Sequence, residues 1–219
     1  MGRPEALERL AAARLYVVSP DGDPAQAGMV LLDALEGGAD VVQLRNKSAE
    51  KGLLLGVARG LAAEARRLGA LLIVNDHVDL AILAGADGVH LGQDDLPVEE
   101  ARRLWPDGLI GCSTHAPAQA RAAVERGADY LGVGPVHATP TKPGRAAVGL
   151  EYVREAAAAG LGIPWFAIGG IDARNLDGVL AAGATRVAVV RAVADAPDRV
   201  AATRELRARV TAPGGVPVA

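Results

Sequence analysis

Cysteine is almost absent from this sequence of 219 residues, in which Cys112 is the single example. One thiol cannot form an intramolecular disulfide or a thiolate metal cluster, so both are excluded. No apolar run reaches the roughly 18 residues that a membrane-spanning helix needs. The first ten residues, MGRPEALERL, include acidic side chains and have no apolar core of the kind that a secretory signal requires. A soluble, cytoplasmic protein that does not bind membranes is therefore expected.

An excess of basic charge is also lacking, because the net charge is −3 and the isoelectric point is near 5.8. Without a general positive field, nucleic acid and anionic membranes are not expected as partners, and any anion site has to be local. Lysine is scarce as well. Of the 23 basic residues, only Lys47, Lys51 and Lys142 are lysines.

A repeated pattern organises the chain. Gly-Ala-Asp, or Gly-Ala-Thr in the last copy, precedes a short apolar run four times, at residues 38–45, 85–92, 127–134 and 183–190. Each copy follows an Ala- and Leu-rich stretch of helical character. Its glycine therefore suits the end of a helix, and its apolar run suits a buried parallel strand.

Four more apolar segments, between the repeats, complete a set of eight predicted strands: 14–19, 71–76, 109–113 and 164–169. Predicted helices alternate with them at about 25–37, 48–68, 77–84, 97–104, 117–126, 149–159, 173–182 and 198–210. This alternation predicts an α/β fold, a single-domain (β/α)₈ TIM barrel over residues 1–210, with an open doubly wound sheet as the alternative. Residues 211–219, TAPGGVPVA, are expected to form a disordered tail.

Polar residues gather after the predicted strands, at the end of such a barrel where active sites are built. The candidate site residues are Gln43, Arg45, Lys47, Asn75, Asp76, Asp95, Ser113, Thr139, Thr141, Lys142, Gly170, Val190 and Arg191. Two of the scarce lysines are among them, and lysine offers phosphate a compact charge where arginine offers a fork. The placement favours a site for phosphorylated compounds over scattered surface charges.

Asp76 and Asp95 follow neighbouring strands and supply hard oxygen ligands, too few for a closed protein cage. Mg²⁺ suits such a site because it keeps water ligands and completes its shell with substrate phosphates. Arg45 and Lys142 would surround the same phosphates. The alternative is that Asp76, and one of Asp94 and Asp95, only cap the helices that follow them.

A second phosphate site is predicted where the glycine turn at 169–171 meets the end of the eighth strand at Val190 and Arg191. Glycines before a helix allow backbone N–H groups to reach a phosphate. The amides of Gln43 and Asn75 can donate and accept, as recognition of the edge of a heterocycle requires. One diphosphate with metal and one monophosphate without metal imply a transfer between two substrates.

Taken in order, the motifs resemble the thiamine-phosphate synthase family: Q-L-R-x-K from 43, N-D from 75, H-x-G-Q-x-D from 90, G-x-S-x-H from 111, T-x-T-K-P from 139 and I-G-G-I from 168. The resemblance runs from about residue 14 to 205. Each motif is weak alone, but their joint order is specific. The resemblance implies that diphosphate leaves a hydroxymethylpyrimidine diphosphate and that the nitrogen of a thiazole phosphate captures the resulting cation, giving thiamine phosphate.

The resemblance also implies a role for each matching residue. Gln43 and Asn75 would hold the pyrimidine, and Asp76 and Asp95 would hold the Mg²⁺. The diphosphate would be bound by Arg45, Lys47, Ser113 and Lys142, of which Arg45, Ser113 and Lys142 would be the catalytic set. The thiazole phosphate would be bound by Thr139, Thr141, Gly170, Val190 and Arg191. The family usually has serine at the position of Arg191, so the role of this arginine is open. Relatives of this kind are often dimers, so a homodimer is expected by analogy.

Three alternatives differ in what they require. A thiazole tautomerase on the same barrel would use His115 as its acid–base group and would not need Asp76 and Asp95. A sensor of thiamine precursors would bind the same compounds without turnover. Another phosphate-binding barrel would share the glycine turn at 169–171 but would be insensitive to metal chelation.

Overall fold

The computed structural model describes residues 2–139 and 146–212. In this part of the chain the strands are β1 Leu15–Val18, β2 Val41–Leu44, β3 Leu71–Asn75, β4 Gly88–Leu91, β5 Leu109–Thr114, β6 Tyr130–Val133, β7 Trp165–Ile168 and β8 Val187–Val189. The helices are α1 Arg3–Ala12, α2 Pro24–Glu36, α3 Lys51–Leu68, α4 Val78–Ala84, α5 Val98–Leu104, α6 Pro117–Glu125, α7 Gly149–Ala158, α8 Leu176–Ala181, α9 Arg191–Ala194 and α10 Arg199–Thr211.

The eight strands form a closed parallel barrel in sequence order. Closure is direct, because β1 pairs in parallel with β8, with Leu15 opposite Val187 and Val17 opposite Val189. The (β/α)₈ prediction is therefore confirmed, and the open sheet is excluded. Among residues 2–139 and 146–212, no helix has both the length and the apolar character to cross a membrane.

Alternate residues of the strands enter two separate hydrophobic cores. In β1, Leu15 and Val17 pack in the large core between barrel and helices, whereas Tyr16 and Val18 pack in the core inside the barrel. Side chains of a strand point alternately to opposite faces, so a strand that is covered on both faces is apolar at most positions, and its few polar residues have to find partners. This explains why the repeated runs are mostly apolar and do not alternate between apolar and polar residues.

The glycines that begin the repeats end helices in the left-handed region. Their φ angles are positive in every copy: 91° at Gly38, 69° at Gly85, 88° at Gly127 and 101° at Gly183. Residues with a Cβ adopt this region at a cost, so glycine is favoured at the point where each helix turns back toward the barrel.

The aspartates of the repeats bind the start of the preceding strand. Each carboxylate accepts a backbone N–H there: Asp40 from Leu15 at 3.0 Å, Asp87 from Leu72 at 2.9 Å and Asp129 from Ile110 at 2.7 Å. The repeat therefore secures the amino end of the barrel, opposite to the end where active sites are built.

The first helix was not predicted from the sequence. Helix α1 covers the amino end of the barrel, and its Ala6 and Leu10 belong to the core inside the barrel. Pro4 at the helix start and Glu5 in its first turn were signals for a helix here. The inside core is therefore closed at one end by a helix rather than by strand residues alone.

Predicted helix boundaries differ from the structure where side chains bind the local backbone. Helix α3 begins at Lys51 rather than 48, because the Asn46 side-chain oxygen accepts from the backbone of Ser48 and Ala49 at 3.1 and 2.8 Å. Helix α10 extends through Thr211, so the predicted tail begins later than expected. Most of that tail, residues 213–219, lies outside the described residues.

Candidate active site

A cavity of about 310 Å³ opens at the carboxyl ends of the strands. Its walls include eight of the predicted site residues: Gln43, Arg45, Asn75, Ser113, Thr139, Gly170, Val190 and Arg191. Lys47, Asp76 and Asp95 do not line the cavity itself. Thr141 and Lys142 lie outside the described residues. The described loops therefore bring predicted residues from β2, β3, β5, β6, β7 and β8 to one place.

Arg45 brings a buried positive charge to the cavity. Its guanidinium donates to the Asp21 carboxylate at 2.5 Å, and its backbone N–H donates to the Ser19 hydroxyl at 2.9 Å. Its Nε is buried and has no hydrogen-bond partner among the described residues. A buried donor without a partner is costly, so this side of the cavity suits an acceptor-rich anion.

Asp76 and Asp95 lie next to each other beside the cavity. Asp76 has a φ of 62°, and its carboxylate lies 3.5 Å from the Lys47 ammonium. Burial raises the pKa of the Asp76 carboxyl, and the hydrogen bond and negative charge of Asp95 raise the same pKa further. Asp95 also accepts the backbone N–H of Gly92 at 2.7 Å. Two adjacent carboxylates of this kind would be stabilised by a cation.

Neither carboxylate caps a helix. The N-cap of α4 is His77 and that of α5 is Pro97, and neither helix has a side-chain cap hydrogen bond. The alternative that Asp76, Asp94 or Asp95 serves as a helix cap is therefore wrong. Within the described residues, no group of three or more His, Cys, Asp and Glu side chains could enclose a metal. The pair fits a metal that takes most of its ligands from water and substrate.

A glycine turn and the end of β8 form a second part of the cavity wall. Gly169 and Gly170 have φ angles of 109° and 62°, and a Cβ on Gly170 would lie 2.8 Å from that of His137. Strand β8 ends at Val189, and Arg191 is the first residue of α9, with an exposed side chain in the cavity wall. This places Arg191 at the mouth beside the glycine turn, as predicted.

Two tyrosines in the cavity were missed by reasoning from the sequence. Tyr16 and Tyr130 lie inside the barrel and join Gln43, His90 and Ser113 through hydrogen bonds. Both stand in short apolar strands, which made them look like core residues. A tyrosine within a buried strand indicates a polar partner nearby, because its buried hydroxyl needs a hydrogen bond, and this could have drawn attention to both residues.

Comparisons with known proteins agree with this geometry. The family described as thiamine monophosphate synthase matches residues 15–193. A Thermus thermophilus protein named thiamine-phosphate synthase is 58% identical over 177 residues, which cover 81% of this chain and 85% of that relative.

The chain belongs to the thiamine monophosphate synthase family.

Further matches to this family extend over most of the chain. A Mycobacterium tuberculosis thiamine-phosphate synthase is 51% identical over 219 aligned positions, covering 93% of this chain and 97% of the relative. The solved structure of a Pyrococcus furiosus thiamine phosphate pyrophosphorylase has a TM-score of 0.83 and 37% identity, and covers 93% of this chain and 96% of that one. A 3-hexulose-6-phosphate synthase structure at 20% identity shares the fold alone.

Proposed function

We infer that this chain is a transferase of the thiamine-phosphate synthase type, which joins an aminopyrimidine diphosphate to a thiazole phosphate and releases diphosphate. The observation that carries this proposal is the Asp76–Asp95 pair beside Lys47, at the rim of a cavity that holds the buried charge of Arg45. Such a site suits diphosphate with a divalent cation, because the carboxylates can bind the cation and the basic side chains can bind the diphosphate. Family membership supports the same activity.

We propose Mg²⁺ as the metal, with Asp76 and Asp95 as its protein ligands. The donor set fits, because Mg²⁺ is commonly bound by one or two carboxylates, several waters and phosphate oxygens. The raised pKa of Asp76 indicates a pair that a cation would relieve. Mg²⁺, when bound, would neutralise charge on the diphosphate and favour its departure.

The residues on the diphosphate side would stabilise the leaving group. Arg45 is held in place by Asp21, so its guanidinium is already oriented before substrate arrives. Lys47 can move from Asp76 to the diphosphate, because its side chain is 56% exposed. Ser113 and, outside the described residues, Lys142 would complete the set. Groups arranged in advance around developing charge are usually the largest source of catalysis in such sites.

The two heterocycles would lie in the remaining part of the cavity. The amides of Gln43 and Asn75, both buried, would bind the pyrimidine edge. The phosphate of the thiazole would lie at the rim, near Thr139, Gly170 and the Val190–Arg191 pair, with Thr141 outside the described residues. The bond from the pyrimidinyl-methyl carbon to the diphosphate oxygen would break first, and the thiazole nitrogen would then form its bond to the resulting cation.

The test is release of diphosphate from the two substrates together, with and without Mg²⁺. Turnover that stops on chelation and returns with Mg²⁺ would support the proposal. Binding without turnover would instead indicate a sensor. Turnover that is insensitive to chelation would rule out the metal, and neither binding nor turnover would be expected of a different phosphate-binding barrel.

The tautomerase alternative depends on one specific observation. His115 lines the cavity, and its Nδ1 lies 2.5 Å from the Gly134 carbonyl oxygen. Because a carbonyl only accepts, Nδ1 carries the proton in the neutral ring. A His115→Asn variant separates the two activities: it should keep most synthase turnover, whereas a tautomerase would lose its acid–base group.

The homodimer and the cytoplasmic location stay predictions. Large apolar side chains are exposed on neighbouring helices, including Met29 on α2, Leu53 on α3 and Leu83 on α4, at 51%, 60% and 60% exposure. We propose that these side chains contribute to a contact between two copies of the chain, because exposed apolar patches often mark such contacts. Light scattering of the purified protein measures the mass of the particle and shows whether the protein is a dimer.

A further inference from the structure

A continuous chain of hydrogen bonds crosses the inside of the barrel. The Gln43 amide Nε2 donates to the Tyr16 hydroxyl at 2.5 Å, and the Tyr16 and Tyr130 hydroxyls are 3.1 Å apart. Tyr130 lies 3.2 Å from His90 Nδ1, and His90 Nε2 lies 2.9 Å from the Ser113 hydroxyl. The chain thus joins a predicted pyrimidine-binding residue to a predicted diphosphate-binding residue through three side chains that have no assigned role.

Burial keeps the tyrosines of this chain protonated. Tyr16 and Tyr130 are almost fully buried, and burial raises the pKa of both phenols well above the ordinary value. Each phenol therefore has one proton to donate at any pH at which the protein works. Each oxygen can also accept.

Tight packing fixes the geometry of the chain. Phe166 contacts both tyrosine rings nearly at right angles, at centroid distances of 5.2 Å to Tyr16 and 6.0 Å to Tyr130. On β5, a Cβ at Gly111 would lie 2.1 Å from the Tyr130 ring, so glycine at this position makes room for the phenol. The rings have little freedom to form other hydrogen bonds.

The direction of the protons follows from the Gln43 end. An amide nitrogen only donates, so the Tyr16 oxygen accepts from Gln43, and the Tyr16 proton goes to Tyr130. Tyr130 then donates to His90 Nδ1, and the neutral His90 ring carries its proton on Nε2 and donates to Ser113. In the reverse direction, Tyr16 would accept twice, and its buried proton would have no acceptor among the described residues. Burying such a donor without a partner is costly.

We propose that this one-way chain holds His90 in the Nε2–H form and so makes Ser113 a hydrogen-bond donor into the cavity, with Tyr130 and His90 as positioning residues. Diphosphate oxygens only accept, so a serine that gave its proton to His90 would present lone pairs to them. The same direction leaves the Gln43 carbonyl oxygen to accept an N–H of the pyrimidine. This inference rests on the proposed function for the identity of the ligand, but the state of His90 does not.

The first test reads the histidine directly. Nitrogen NMR of histidine-labelled protein near neutral pH distinguishes Nε2–H from Nδ1–H, and comparison with a His90→Gln sample identifies the His90 signals among the four histidines. We expect a protonated Nε2 and an unprotonated Nδ1. The opposite tautomer would overturn the proposal.

The second test compares two buried tyrosines. Tyr130→Phe removes the donor to His90. Tyr152→Phe is the matched control, because the Tyr152 hydroxyl forms hydrogen bonds with Thr114 Oγ1 at 2.7 Å and with the Ala116 carbonyl oxygen at 3.0 Å, apart from the chain. We expect Tyr130→Phe to abolish the pure Nε2–H signature and to lower kcat about 10-fold, a loss typical of residues that orient a ligand, with the KM for thiazole phosphate unchanged.

Tyr152→Phe should lower the melting temperature but leave kcat and the tautomer as they are. If Tyr130→Phe behaves like this control, its role is structural and the proposal fails. Failure of the proposed function would give a different result, namely no diphosphate release by the unmodified protein. The NMR result is obtained in either case.

Discussion

Aspartates at the two ends of the barrel have opposite surroundings. At the amino end, the Asp129 carboxylate lies 2.6 Å from the guanidinium groups of Arg3 and Arg102 and accepts the Ile110 N–H. At the carboxyl end, Asp76 lies beside Asp95, and the nearby positive charge of Lys47 is on a largely exposed side chain. The protein itself provides the partners of the Asp129 carboxylate, whereas the like charge beside Asp76 supports the proposal that this carboxylate binds a cation.

Burial alone does not distinguish the two ends. It raises the pKa of Asp87, in the second repeat, as it raises that of Asp76. For Asp87, however, the Leu72 N–H and nearby positive groups lower the pKa again. For Asp76, the neighbour Asp95 raises it further. The like charge of Asp95, added to burial, distinguishes Asp76 from Asp87 and supports its proposed role.

The largest expected effect comes from the carboxyl end. Asp76→Asn should lower diphosphate release more than about 100-fold, because the metal would lose one of two protein ligands. Asparagine suits the test, since it tolerates the positive φ of 62° at this position better than alanine does. The rate at saturating Mg²⁺ and the melting temperature should be measured together. Near-normal turnover would show that the carboxylate does not bind the metal.

At the amino end the expectation reverses. Asp129→Ala should lower the free energy of unfolding by about 2 to 3 kcal/mol, because it removes charge-assisted hydrogen bonds from two arginines and a backbone N–H. Values of kcat and KM for the folded protein should not change. Urea denaturation and steady-state kinetics measure the two quantities, and a selective loss of kcat would break the comparison between the ends.

A substitution of Arg191 tests whether the rim at the carboxyl end of the barrel also binds a substrate. If it binds the thiazole phosphate, Arg191→Ser should raise the KM for that substrate by roughly 10- to 100-fold, since each 1.4 kcal/mol is tenfold. The KM for the pyrimidine substrate should stay the same. An unchanged thiazole-phosphate KM together with a lower melting temperature would instead assign this arginine a structural role.

The smallest effect is on stability as a function of pH. Because the pKa of Asp76 is raised in the folded state, the protonated carboxyl favours folding and the ionised carboxylate opposes it. The stability that the protonated form contributes is therefore lost as the pH rises through the folded pKa. Without metal, Asp76→Asn should therefore be slightly more stable than the unmodified protein at neutral pH. The difference should vanish below the ordinary aspartate pKa of 3.8. Thermal melts with a chelator, and then with Mg²⁺, test this; Mg²⁺ should stabilise only the unmodified protein.

The sequence predicted the barrel well because its repeats carry two independent signals. Glycines such as Gly38 and Gly127 mark the ends of helices through backbone conformation, and the apolar runs after them mark strands buried on both faces. Boundaries were less predictable. The start of α3 depends on hydrogen bonds made by the Asn46 side chain, which no periodicity reveals.

The sequence predicted the polar residues at the ends of the strands but not the two tyrosines within them. Asp76, Arg45 and similar residues are unusual at the ends of apolar strands, so their type and place drew attention. Tyr16 and Tyr130 lie within strands, and only the closure of the barrel brings their hydroxyls to 3.1 Å across 114 positions of sequence. A contact of that range depends on the three-dimensional register of the strands, which a single sequence does not display.

Helix α1 has a consequence for the order of events. Since it covers the amino end of the inside core, the cavity that the described residues form opens at the opposite end of the barrel, where reactants and products of the proposed reaction would both pass. Under the proposed function, the pyrimidine compound at Gln43 would have to enter before the thiazole phosphate at the rim near Gly170. We therefore expect ordered sequential kinetics in which the pyrimidine compound binds first. Products that have not yet left should compete with the thiazole phosphate for the same opening of the cavity.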